Sequence, residues 1–411
     1  MAISDTAGVT GDADLPEMSA TAQVTVVGVL KEADPSERRV AVVPGDVARL
    51  TGAGARVLVE RSAGAAAWFP DADYAGAGAS MVSRAELLAE ANVLLLVGTV
   101  APDVMAAARP GQTVVGTLQP LLAPQLAAQL ADRGITAVSM DSLPRTLSRA
   151  QSMDSLTSQA SIAGYKSVLI AANQFGRYLP MLMTAAGTTP PAAVLVLGVG
   201  VAGLQAIGTA RRLGAVVSAY DVRPETREQV LSLGARFIDL RSVAAASGEG
   251  GYARSLTPEE QVAQQSELDG HIASHDIVIT TAQVPGHRPP RLVGADAVAR
   301  MRAGSVIVDM AASALGGNVE LSQPGETIVT GNGVTIVAPL NLPAQVATGA
   351  SMAYSHNIVR LLLSMVHEGR VVIDLDDEIQ AAVVITHERR VVNAATNALL
   401  ATPATQVATQ G

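Results

Sequence analysis

From Val24 onward, short runs of β-branched and aliphatic residues alternate with Ala- and Leu-rich stretches whose apolar positions follow a helical period. The first series predicts strands from Val24 to Leu30, Arg56 to Val59, Val93 to Val97, Thr113 to Thr117 and Ile135 to Ser139. Helices are expected between them near Pro44 to Thr51, Ala85 to Glu90 and Pro124 to Arg133. A second series opens with a strand from Val194 to Leu197 and a helix ending at Leu213. It continues with a strand from Val216 to Asp221, a helix from Glu225 to Leu233 and a strand from Arg236 to Ile238, then strands from Ile277 to Thr281, Ser305 to Asp309 and Val334 to Val337. Alternation of this kind predicts parallel sheets with helices on both faces.

Between the two series, Leu156 to Thr184 reads as one long helix stopped by Gly187-Thr-Thr-Pro-Pro, an interdomain strut. Beyond Pro343, a helix from about Ser351 to His367 leads to Val371 to Leu375 and Ala382 to Thr386, which read as a hairpin or a returning edge. No repeat of solenoid period is present. The expected fold class is α/β: two doubly wound Rossmann-like domains with parallel sheets, separated by a cleft and linked by long helices. The expected boundaries are a disordered tail at 1–23, an N-terminal domain at 24–155 completed by 348–400, a dinucleotide domain at 156–347 and a tail at 401–411.

Composition narrows the chemistry. Across 411 residues, 49% are hydrophobic but only 2% are aromatic, so the cores must be built from Val, Leu, Ile and Ala, as suits buried parallel strands. A net charge of -9 without any dense Lys/Arg run argues against a nucleic-acid surface. No cysteine is present and the six histidines lack paired ligand spacing, so neither a disulfide nor a metal site is expected. The start of the chain has no basic segment followed by an apolar one, and the helix-length apolar stretch from Ile162 to Ala186 carries Lys166 and Arg177. A cytoplasmic chain with no bilayer span is therefore the expectation.

Gly198-Val-Gly-Val-Ala-Gly203 follows an apolar strand directly and opens a helix. In such a turn the amides point at a pyrophosphate and the missing side chains permit close approach, although a glycine-rich turn can also serve packing alone. The next predicted strand ends at Asp221, where a carboxylate would meet the adenosine ribose and disfavour a 2′-phosphate. Two like charges about 4 Å apart at an effective dielectric near 20 repel by about 4 kcal/mol, almost three decades in affinity. Arg223 could neutralise such a phosphate or stack on adenine, but Asp221 holds the strand terminus, so NAD(H) is expected.

Three further segments could close the site. Gly250-Gly-Tyr-Ala-Arg254 is either a lid or a flexible connection. Thr280-Thr-Ala-Gln283 ends a strand. Arg145-Thr-Leu-Ser-Arg-Ala-Gln-Ser-Met-Asp154 lies where the first domain hands over to the strut, so its polar groups either overhang an interdomain cleft or supply an N-cap through Ser152 or Asp154.

Taken together these residues resemble the soluble NAD(H)-binding alpha subunit of proton-translocating nicotinamide nucleotide transhydrogenase. The likeness covers nearly the whole chain after Val24. It rests on Ser148-Arg-Ala-Gln-Ser-Met-Asp154, Ile162-Ala-Gly-Tyr165, Gly198 to Gly203, Asp221-Val-Arg-Pro224, Gly250-Gly-Tyr252, Val284-Pro-Gly286 and Gly304-Ser-Val-Ile-Val-Asp309. The resemblance implies that Arg145, Gln151, Asp154 and Thr157 overlie the nicotinamide. It places the pyrophosphate and ribose at Gly198, Val199, Gly200, Val201, Gly203, Asp221, Val222 and Arg223, with Gly251, Tyr252, Gln264, Thr281 and Gln283 around the rest of the cofactor.

The same resemblance implies a partner beta subunit binding NADP(H), membrane-spanning subunits that move the proton, a homodimer, and peripheral attachment to the cytoplasmic face of the inner membrane through those partners. The loop after Arg145 is one residue longer than the family's usual Pro-Arg-Ile-Ser-Arg-Ala-Gln spacing, and Thr157 stands where a serine is usual. Alanine dehydrogenase is a close relative, with a similar Lys-Glu…Arg-Val-Ala start. It uses a lysine and a histidine on its keto acid, and the matching places here hold Gly98-Thr99 and Gln119. A non-catalytic NAD-sensing protein is the remaining alternative.

Overall fold

A computed structural model describes residues 24–240, 257–283 and 288–401. The expected lid from Gly250 to Arg254, with Gly251 and Tyr252, lies outside the described residues, as do Val284-Pro-Gly286 and the terminal segments 1–23 and 402–411.

The first series builds strands β1 (Val26–Val29), β2 (Arg56–Glu60), β3 (Ser80–Val82), β4 (Val93–Leu95), β5 (Thr113–Gly116) and β6 (Thr136–Ser139). Helices α1 (Pro44–Gly52), α2 (Asp71–Gly76), α3 (Arg84–Glu90), α4 (Pro102–Ala107) and α5 (Pro124–Asp132) run between them. Then come α6 (Ser155–Gln174) and an isolated ribbon of β7 (Leu182–Thr184) and β8 (Gly187–Thr189). The second series comprises β9 (Ala193–Leu197), α7 (Val201–Arg212), β10 (Val216–Tyr220), α8 (Thr226–Ser232), β11 (Arg236–Phe237), α9 (Pro258–Ser274) and β12 (Ile277–Thr280). It ends with α10 (Ala295–Arg300), β13 (Val306–Asp309), β14 (Thr327–Val329) and β15 (Thr335–Val337). The chain closes with α11 (Ala347–Ser364), β16 (Val366–His367), β17 (Arg370–Val371), α12 (Glu378–Val383), β18 (Val384–His387), β19 (Arg390–Val391) and α13 (Ala394–Ala401).

The fold is α/β with two sheets dominated by parallel pairing. The first has the order β19-β18-β6-β5-β4-β1-β2-β3 and the second β11-β10-β9-β12-β13-β15-β14. Alternation explains the double cover: in β9, Val194 and Val196 enter one core while Leu195 and Leu197 enter the core on the opposite face. The sheet edges depart from pure parallel order, because β14 runs antiparallel to β15 and β18 antiparallel to β6.

One expectation is corrected, and one open alternative is decided for the returning edge. The long helix from Leu156 to Thr184 ends at Gln174, and Gly187 to Thr189 is a strand of the ribbon rather than a helix stop. Gly176 and Pro180 oppose its continuation, and tertiary contacts fix the stop: Phe175 turns into the second core, and Arg177 lies 5.0 Å over its ring while pairing with Asp276. Val371 to Leu375 and Ala382 to Thr386 do not pair with each other. Val371 pairs with Val366, while Val384 to His387 returns to the first sheet beside β6. Tyr354 anchors α11 there, its buried hydroxyl donating to the Leu96 and Val97 carbonyls at 3.1 and 3.2 Å.

Candidate functional site

The glycine turn forms between the end of β9 and the start of α7. Gly198 has φ +96°, a conformation glycine adopts without strain. A Cβ on Gly203 would stand 2.0 Å from the Gly198 carbonyl oxygen, so helix and strand close tightly only because that position is bare. Gly200 differs, having no atom within 4 Å of where its Cβ would be, and α7 begins there without a side-chain cap. A twelve-residue helix therefore starts without a side-chain cap and with open space at Gly200, an arrangement that suits an anion. Val199 is buried and contributes backbone, whereas Val201 is partly exposed.

Asp221, just past β10, backs this turn. Its carboxylate accepts from the Val199 amide at 2.6 Å, the Arg223 amide at 2.9 Å, and Arg223 Nε and Nη2 at 3.0 and 3.1 Å. Partial burial pushes its pKa up, but the bonds from Arg223 and from the two amides outweigh this and hold it below the ordinary carboxylate value. Arg223 thus embraces Asp221 and also reaches the Val199 carbonyl at 3.3 Å, while Val222 stands exposed.

Around the same edge, the Thr281 hydroxyl donates to the Gly198 carbonyl at 2.9 Å, so it holds the turn. Gln283 Nε2 donates to the Met310 carbonyl and Gln264 Nε2 to the Tyr220 hydroxyl, both at 2.8 Å.

The polar loop before α6 forms its own cluster. Asp154 is the N-cap of α6, accepting from the Thr157 amide at 2.8 Å and the Thr157 hydroxyl at 2.6 Å. Arg145, despite the longer loop, reaches both, at 3.4 Å to Asp154 and 3.1 Å to Thr157. Gln151 sits on a preceding 3-10 turn, exposed, with no side-chain hydrogen bond among the described residues.

The structure also shows contacts that the sequence pattern did not foretell. Arg39 pairs with Glu37 through two nitrogens and donates to Gln159 on α6 at 2.7 Å, while Asn341, beyond β15, donates to Glu37 at 2.8 Å. Asp309 and Asn318 form a second buried network behind the glycine turn. Their sequence signals were the Arg-Val-Ala start that holds Arg39 and the carboxylate at the end of the predicted Ser305 to Asp309 strand.

Away from the glycine turn, a cavity of about 370 Å³ opens at the carboxyl ends of β1 and β4, where the strand order of the first sheet reverses. Glu32, Asp34, Glu37, Lys31, Arg84, Gly98 and Thr99 are on its wall. Arg84 is already bound to Glu60 at 2.8 Å and Asp103 at 2.6 Å. Among the described residues, no group of three His, Asp or Glu is placed to hold a metal, and no helix is long and apolar enough to cross a membrane.

Comparison with known proteins gives the following. The family model described as "Alanine dehydrogenase/PNT, N-terminal domain" matches residues 28–163, and "Alanine dehydrogenase/PNT, C-terminal domain" matches residues 167–394. The chain is 42% identical over 367 residues to "NAD(P) transhydrogenase subunit alpha" of Cereibacter sphaeroides, covering 88% of this chain and 70% of the relative. A solved structure of transhydrogenase from Sinorhizobium meliloti superposes with a TM-score of 0.79 at 41% identity, covering 90% of this chain and 99% of that one. A solved L-alanine dehydrogenase superposes with a TM-score of 0.75 at 27% identity, covering 92% and 99%.

Glu32 generates a pH prediction. Desolvation raises its carboxyl from 4.5 to about 7, against the pull of the Val97 amide, and nearby Glu37 adds to the rise. The folded chain then keeps this proton to higher pH than the unfolded chain does. Stability from this group is therefore full below about pH 4.5, falls as pH rises to about 7 and stays level above. Glu32→Gln should gain up to about 3 kcal/mol over wild type at about pH 8 and nothing near pH 4. Urea unfolding at both values checks this, and a gain independent of pH would refute it.

Proposed function

The chain belongs to the alanine dehydrogenase/PNT family, and on that premise we propose that it is the NAD(H)-binding alpha component of a Re/Si-specific, proton-translocating transhydrogenase. NADH is its substrate, and hydride passes directly to NADP⁺ held by a separate beta subunit. Proton movement belongs to membrane-spanning partner chains, to which this chain attaches from the cytoplasmic side.

Asp221 carries the reading. A carboxylate behind an uncapped helix start, with open space over Gly200, fits a pyrophosphate flanked by an unphosphorylated ribose. The second support is distance along α6. Gly164 lies against Ala202 at the start of α7, and nine residues earlier the same helix begins in the Arg145, Asp154 and Thr157 cluster. At the α-helical rise that is roughly 14 Å, on the scale of the reach from a pyrophosphate to its nicotinamide end.

In the proposed mechanism the amides of α7 bind the pyrophosphate and Asp221 selects the ribose. Asp154, fixed by Thr157 and Arg145, and the free amide of Gln151 orient the nicotinamide. Direct hydride transfer needs no general acid or base, so apposition and exclusion of water supply the rate. The alanine dehydrogenase alternative is disfavoured by the first-sheet cavity, where Gly98 and Thr99 stand and Arg84 is held by two carboxylates. The expected second copy has a surface to meet: from Tyr178 to Pro191 no residue is charged, yet Tyr178, Met181 and Met183 are exposed on or beside a ribbon with unpaired edges. Sedimentation reporting a monomer at micromolar concentration would remove the dimer.

Two tests address the activity and its specificity. Mixed with a matching NADP-binding partner domain and NADPH, the chain should reduce an acetylpyridine analogue of NAD⁺. No reduction with a competent partner, or turnover of alanine by the chain alone, counts against the proposal. Asp221→Ala should free Arg223 for a 2′-phosphate and raise NADPH affinity relative to NADH at least tenfold. Adding Arg223→Ala should abolish that gain. Calorimetry with both nucleotides decides, and an unchanged ratio in Asp221→Ala would exclude this role for the carboxylate.

A further inference from the structure

Behind the glycine turn lies a buried polar relay that reaches it without lining its open side. Asn318 is fully buried. Its Nδ2 donates to the Ala282 carbonyl at 2.9 Å and the Pro290 carbonyl at 2.7 Å, and its Oδ1 accepts from the Ala282 amide at 3.1 Å. One carboxamide thus grips both backbone polar groups of a single residue in the loop after β12.

Asn318 is itself held by Asp309, a buried carboxylate at the end of β13. Asp309 accepts from the Asn318 and Val319 amides at 3.3 and 3.0 Å, the Ala311 amide at 3.0 Å, the Thr280 hydroxyl at 3.0 Å and the Ser322 hydroxyl at 2.6 Å. A Cβ at Gly317 would stand 2.3 Å from Asp309 Oδ2, so the loop folds over the carboxylate with no room to spare.

The gripped residue adjoins the turn. Thr281, next to Ala282, donates its hydroxyl to the Gly198 carbonyl. A Cβ on Gly198 would lie 2.7 Å from that hydroxyl oxygen and 3.1 Å from the Ala282 amide nitrogen, so the loop is the wall on which the turn rests.

We propose that Asn318 is a positioning residue for the NAD(H) site, holding the 281–283 segment so that Thr281 fixes the Gly198 carbonyl and aims the first amides of α7. This rests on the nucleotide reading above. Asn318 touches no substrate and acts through Ala282 and Thr281. Its loss takes this donor from the Ala282 and Pro290 carbonyls and the acceptor from the Ala282 amide, which lets the wall move, so the effect appears in NADH affinity, while transfer at saturating NADH is spared.

A double-mutant cycle separates positioning from mere structural support. NADH dissociation constants are measured for wild type, Asn318→Ala, Thr281→Val and the pair, beside unfolding temperatures and the KM and kcat of transfer. Each single change should weaken NADH binding about tenfold. The pair should do little worse than either alone, because both act on one carbonyl. KM should rise and kcat stay near wild type. If Asn318→Ala does not fold, Asn318→Ser, which keeps one donor, takes its place with a smaller effect of the same kind. Unchanged NADH binding with a lowered unfolding temperature overturns the assignment, as do fully additive losses. A wild-type chain that takes no NADH removes the nucleotide reading and this inference with it.

Discussion

The arrangement depends on the place where α6 crosses α7. A Cβ on Gly164 would lie 2.1 Å from the Ala202 carbonyl oxygen, so the two helix backbones are in contact and any larger residue must push them apart. The same α6 buries Val168 and Ala171 in the core of the second sheet. Near its start, Ser158 donates to Asn357 at 2.7 Å and Gln159 to the Ala350 carbonyl at 3.1 Å, joining it to α11 of the first body. One rigid rod therefore sets where the Arg145, Asp154 and Thr157 cluster stands relative to the glycine turn. A looser crossing would move the cluster and the turn independently, and neither could hold one end of an extended nucleotide against the other.

What the sequence revealed follows from the range of each interaction. Strands buried on both faces were readable because their apolar runs need no knowledge of the partner, and the glycine turn with Asp221 was readable because its geometry is written within one βαβ unit. The end of α6 carried local signals that were passed over: Gly176 and Pro180 stand inside the expected helix. What lay out of reach was the tertiary part, Phe175 entering a core and Arg177 meeting Asp276, 99 residues away. The ribbon after it was absorbed into the helix, since Met181 to Met183 suits either state until something fails to cover it.

Distance in sequence also hid the supports of the site. Asn318 acts on Ala282 across 36 residues, and Arg39 meets Asn341 across 302. No local pattern marks an asparagine as the residue that grips a loop. The N-cap and the overhanging-cleft readings of Asp154, by contrast, were both legible, and the geometry makes the first true without removing the second. The carboxylate that caps α6 is the one Arg145 approaches.

The three aspartates share a property that bears on mechanism. Asp221 accepts four bonds, Asp154 three and Asp309 five, from backbone amides, hydroxyls or arginine. A carboxylate so fully engaged has its lone pairs committed to the protein and is held in one place, not left open to a substrate proton. A dehydrogenase acting on a keto acid needs at least one group left free to exchange a proton; neither the turn nor the cluster before α6 presents an unengaged carboxylate for that task, and Glu32, which keeps its proton to about pH 7, lines the separate first-sheet cavity. Hydride exchanged between two nicotinamides makes no such demand. It asks only that one ring be held still, and polar groups locked in place by their own protein are suited to that.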